Sequence, residues 1–228
     1  MNSLVRYTFA HADTPQPPLQ PGALYEYVFA ANGVFVRGAR AGLEVTMPVA
    51  RFPHAQTLRG LATVEPSVRL LYPRVPAPLL AVMLEYARTA YAPATCADWC
   101  NRLGALWLNL PDPARWIEVL FDLDYTAAGW ELVLPEQIQA REQVQVADVF
   151  DAHHARALIH AHSHHRFAPT FSPMDDADHA GFRLYAVLGN LSRQPALRVR
   201  VGLYGYWLDV SAWTIFEPVP EVRDAVAD

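Results

Sequence analysis

From residue 23 onward the chain alternates short apolar runs with turn signals. LYEYVFA and VFVRGA flank Ala31-Asn32-Gly33, where Asn-Gly can supply the positive φ angles of a tight hairpin. LEVTMPVA and VRLLYP add strand-like pieces. A helix is predicted to start at Val75-Pro76-Ala77-Pro78, because proline is tolerated in a first turn whose N–H groups lack partners. Its apolar positions Leu80, Met83, Leu84, Ala87 and Tyr91 repeat at the three-four spacing of one buried face. RLGALWLNL, WIEVLFDLDY and GWELVLP follow as β-rich runs, divided by turn signals at Pro111-Asp112-Pro113 and Ala128-Gly129. RALIHAHSH reads as another strand, SPMDDADHAGFRLYAVLGN as a helical start followed by a strand, and LRVRVGLYGYWLDV as an alternating strand pair.

These elements divide the chain into four parts. Residues 1–22, ending in the proline-rich TPQPPLQPG, form an arm; 23–74 a β-rich module; 75–217 the main domain; and 218–228 a tail. A helix, strands, a His-rich strand, a second helix and further strands predict an α+β or α/β/α layered main domain. At 228 residues and 52% hydrophobic content, the chain can bury a real core. A net charge of −5 leaves no basic footprint for nucleic acid. No run approaches the ~20 apolar residues of a membrane span, and the N-terminus lacks a signal-peptide pattern, so a cytoplasmic protein is expected. Cys96 and Cys100 read as reduced thiols, because four-residue spacing matches neither a zinc ribbon nor a disulfide framework. All 18 basic residues are arginine. Codon bias and avoidance of lysine-directed modification both fit.

Seven of the nine histidines (His153, His154, His160, His162, His164, His165 and His179) fall in one short segment. On a strand, His162 and His164 share a face roughly 7 Å apart at the backbone, close enough to converge on one ion. Ser172 and Asp175 follow, at the spacing of a capping-box-like helix start. His160 shares the strand face of the pair, which suits a supporting hydrogen bond better than ligation. His165 faces the other way and reads as solvated, His179, one turn beyond Asp175, reads as solvated or as lining the cleft, and Asp176 and Asp178 read as favouring the helix N-terminus.

The resulting pattern, His-x-His-x7-Ser-x2-Asp, resembles the JAMM (MPN+) motif of JAB-domain metallopeptidases. The blocks APTFSPMDDAD and AVLGNL…LRVRVGLYGYW are most similar to prokaryotic JAB proteins of the ParB-related, ThiF-related (PRTRC) cassette. The resemblance implies an α/β/α-like JAB/MPN domain with cytidine-deaminase-like layering over residues 75–217. It also implies zinc held by His162, His164 and Asp175, with Ser172 helping to hold the reacting water or oxyanion. The family's proton carrier is a glutamate three residues before a glycine. In TCADWCNRLGALWL that position is Asn101, and an amide cannot act as a general base.

Three readings stay open. Another carboxylate (Asp98, Glu118 or Glu44) takes the role, the enzyme is slow, or the fold binds without cleaving. The leading expectation is a zinc peptidase or isopeptidase acting at the tail of a ubiquitin-like protein or its conjugates, with an E1-like protein of the same cassette as a further partner. Its rival is a catalytically silent module binding a ubiquitin-like partner. A barrel-type metal hydrolase also uses His-x-His, but only 64 residues follow His164, too few for the βα units such a barrel needs.

Overall fold

The computed structural model describes residues 4–19, 22–52, 60–91 and 116–226. Asp98, Asn101, both cysteines and the strand expected at RLGALWLNL lie outside them.

The first sheet runs in chain order: β1 (Val5–Phe9), β2 (Tyr25–Ala30), β3 (Gly33–Arg40), β4 (Leu43–Arg51) and β5 (Ser67–Leu70). β1 pairs parallel to β2, and the other neighbours pair antiparallel. Ala30 pairs with Gly33, so the hairpin loop is Ala31-Asn32. Asn32 uses its side chain to exchange two hydrogen bonds with the backbone of Val64, at 2.8 and 2.9 Å. Gly33 is needed because the Ala50 carbonyl leaves no room for a Cβ.

Helix α1 (Ala77–Thr89) buries Leu80, Met83, Leu84 and Ala87, as the spacing predicts, while Tyr91 lies past its end. Next come β6 (Leu120–Thr126) and β7 (Gly129–Val133), then a separate hairpin of β8 (Gln137–Gln139) and β9 (Val144–Val146). The chain continues through α2 (Ala152–Arg156), β10 (Ile159–His164), α3 (Pro173–Asp178), β11 (Phe182–Gly189), β12 (Ala196–Leu203), β13 (Tyr206–Val210), α4 (Ala212–Ile215) and β14 (Arg223–Asp224). The second sheet has the order β13-β12-β11-β10-β6-β7, with β14 beside β12. β10 is parallel to β11 and antiparallel to β6, which places the His-rich strand inside the sheet.

The expected α+β JAB/MPN layering is overturned. The described residues are mostly β, in two large sheets, and three of their four helices have six residues or fewer. The physical reason lies in the core. Val36, Leu43, Val45 and Met47 of the first sheet pack into one apolar cluster with α1 and with β10, β11 and β12, so strands fill much of the space that a layered fold gives to helices. No helix among the described residues is long and apolar enough to cross a membrane.

Candidate metal centre

Strand alternation divides β10 between two environments. Ile159 and Ala161 enter the apolar core, and Ser163 is buried with its Oγ accepting from the Val119 N–H at 3.0 Å. His160, His162 and His164 take the opposite face and line a cleft of about 330 Å³. Across the ladder, His160 pairs with Asp122 and His162 with Leu120. Glu118, one step further along the same face, lines the cleft beside His164.

His162 Nε2 lies 3.0 Å from His164 Nε2 and 3.2 Å from Asp175 Oδ1. A tetrahedral centre with bonds of ~2.0–2.1 Å has ligand-to-ligand edges of roughly 3.3–3.4 Å, so both distances are close to such an edge, and all three atoms lie within 4.8 Å of one another. Their surroundings also suit a cation. His164 Nδ1 lies 3.3 Å from the Ala168 carbonyl, and donating there leaves the Nε2 lone pair turned to its neighbours. Burial is the main force holding His162 in its neutral form, with its pKa down to about 4; Asp175 opposes this, and His164 and Arg200 add to it. Asp175 feels an upward push from burial, which His162 and the hydrogen bonds from Ser172 outweigh, so its carboxyl titrates below the usual range. These three residues can hold a metal ion.

The capping box explains how Asp175 is aimed. Ser172 N–H and Oγ–H both donate to Asp175 Oδ2, at 2.6 and 2.7 Å, and Ser172 Oγ accepts from the Asp175 N–H at 3.2 Å. With Oδ2 committed, Oδ1 is the atom left for His162. Ser172 thus spends its hydroxyl on the carboxylate while also lining the cleft.

Among the three carboxylates that could replace Asn101, Glu118 is the one brought to the centre. Its Oε1 is 3.9 Å from His164 Nε2, and the residue is only 5% exposed. Burial, then the negative charges of Asp175 and Glu142, raise its pKa to about 8. Glu44 sits in the first sheet in a surface pair with Arg69, and Asp98 lies outside the described residues. A sequence signal for Glu118 existed: in EVLFDLD, acidic residues recur on one strand face while Val119, Phe121 and Leu123 fill the other.

The hydrogen bonds of His160 run away from His162, His164 and Asp175. Its Nε2 is 2.9 Å from the His154 carbonyl and 3.5 Å from Asp122 Oδ1, and Arg183 packs against the same nitrogen. Asp122, His154 and His160 lie close enough to be a second candidate ion site. The guanidinium of Arg183, anchored on the carbonyls of His154 and Ala155 at 3.0 and 3.1 Å, packs against the His160 nitrogen that an ion there would need. His165, expected in solvent, is buried; His179 is buried too, and it lines the cleft, the other position its place one turn beyond Asp175 allowed. His165 stacks on Trp116 at 3.7 Å, and His179 stacks on Tyr185 at 3.8 Å. No protein-family model and no curated protein matches the chain.

Proposed function

We propose that the protein is a zinc-dependent hydrolase of amide bonds, using the ligand pattern of the JAMM metallopeptidases on a mainly β scaffold. The observation that carries this reading is a titratable carboxyl, Glu118, beside three converging ligands. A zinc ion held by His162, His164 and Asp175 would polarise the substrate carbonyl and acidify a water molecule. Glu118 takes one proton from the attacking water and delivers it to the leaving nitrogen as the C–N bond breaks, giving a carboxylic acid and a free amine. Ser172 keeps Asp175 in place; its one hydroxyl proton stays on Asp175 Oδ2, which leaves the hydroxyl oxygen to accept from the attacking water. The silent binding module drew its main support from Asn101. With Glu118 available, we favour hydrolysis.

For substrate, we favour the extended tail of a ubiquitin-like protein in the cytoplasm, with its E1-like enzyme as a further partner. Support comes from the resemblance and from β9, whose only strand partner among the described residues is β8. Val144, Gln145 and Val146 of β9 line the cleft, so an extended chain could run along them. The test is zinc-dependent cleavage of a ubiquitin-like protein carrying a C-terminal fusion, with His162→Ala and Glu118→Gln as controls. Loss of cleavage in both variants supports the reading. A zinc-loaded wild type that leaves a panel of such fusions and tail peptides intact counts against it.

A further inference from the structure

Asp175 rides on a helix that has little to hold it. α3 is six residues long and buries none of them, and so short a helix has no stability of its own. Its capping box is internal: it shapes the first turn without fastening that turn to the sheet. At its C-terminal end His179 stacks on Tyr185 of β11, and the polar attachment comes from β12. Arg200 Nη1 donates to Asp176 Oδ1 at 2.6 Å, and Nη2 donates to His179 Nδ1 at 2.9 Å. One guanidinium therefore grips the residue after Asp175 and the C-terminal cap of the same helix. Arg200 is only 6% exposed, with its guanidinium carbon 3.8 Å from the ring centre of Phe171, just before the helix, and 5.2 Å from that of Trp207.

We infer that Arg200 is a positioning residue for the metal centre, fastening α3 to the sheet so that Asp175 Oδ1 stays beside His162 Nε2. This inference rests on the reading of Asp175 as a ligand. Arg200 is a costly choice if stability alone is at stake, because its Nε is buried without a hydrogen-bond partner. Replacing a buried ionic group by an apolar one of similar size is often neutral or stabilising. A long apolar side chain would fill the same space, but it could not hold Asp176 and His179 at fixed distances.

The test compares wild type with Arg200→Met, Arg200→Lys and Asp176→Asn. Zinc affinity is measured by competition with a chromogenic chelator, and ligand geometry by the visible spectrum of the cobalt-substituted protein. Arg200→Met is expected to bind zinc about 10-fold or more weakly, with an altered cobalt spectrum and an apo-protein melting temperature close to wild type. Arg200→Lys should recover part of the affinity, and Asp176→Asn should lose several-fold. Wild-type affinity and spectrum in Arg200→Met overturn the inference while leaving the metal centre intact. If Arg200→Met does not fold, unchanged affinity in both other variants overturns it equally. A wild type that binds no metal at all defeats the functional reading on which the inference rests.

Discussion

At the scale of single residues, the chemistry turns on Glu118. Its carboxyl is buried against two negative neighbours, Asp175 and Glu142, and its pKa rises to about 8 in the protein without metal. The folded value lies above the ordinary one of 4.5, so the group favours the fold fully below that value, and this contribution is lost as pH rises through about 8. Chelator-treated wild type should therefore lose urea stability relative to Glu118→Gln between pH 5 and roughly 8. Parallel stability curves for the two proteins over that interval would contradict the burial argument. Glu118→Gln should also keep its zinc while kcat falls about 10²–10⁴-fold, the usual contribution of a positioned proton carrier. His162, His164, Ser172 and Asp175 were legible from sequence because their relation is local: a strand, a loop and a capped turn. Glu118 was legible only as one of three carboxylates that could stand in for Asn101, because what brings it to His164 is the pairing of β6 with β10, which no spacing rule expresses.

At the scale of elements, the loop between β10 and α3 depends on a close approach to β11. A Cβ at Gly189 would lie 2.5 Å from Pro169 N, 2.6 Å from Phe167 O and 2.8 Å from Ala168 C. All three are backbone atoms, so a longer side chain must move the loop itself. The same loop supplies the Ala168 carbonyl that faces His164 Nδ1. Gly189→Ala is expected to cost about 1–3 kcal/mol and to weaken zinc binding, measured by denaturant unfolding and chelator competition. Ser172→Ala tests the next element along. Losing the cap should cost about 1 kcal/mol and remove one of the two hydrogen bonds on Asp175 Oδ2, with weaker metal affinity as the second readout. The identities of α1, α3 and β10 were readable from periodicity and capping. Their arrangement was not, because β10 gains its neighbours from segments on both sides of it in the chain.

At the scale of the whole molecule, the two sheets are tied together by more than one kind of contact. Val36, Leu43, Val45 and Met47 share their apolar cluster with α1 and the second sheet. Tyr27 and Tyr206 join their hydroxyls at 2.6 Å. Arg40 of β3 donates to the carbonyls of Phe182 and Arg156, at 2.5 and 3.0 Å, where the chain enters β11 and leaves α2. Hydrophobic patterning marks which face of each strand is buried, but not which buried faces meet, so these ties could not be read from sequence. They predict that damage in the first sheet will be felt in the second. All six tryptophans lie after residue 98, so tryptophan fluorescence is emitted from the later part of the chain. Met47, 1% exposed in β4, is a suitable probe from the other side. Met47→Ala should lower unfolding free energy by about 2–5 kcal/mol and shift the tryptophan-detected midpoint by the same amount as one followed by far-UV circular dichroism. A tryptophan midpoint that stays at its wild-type position while the other moves would show that the sheets unfold independently.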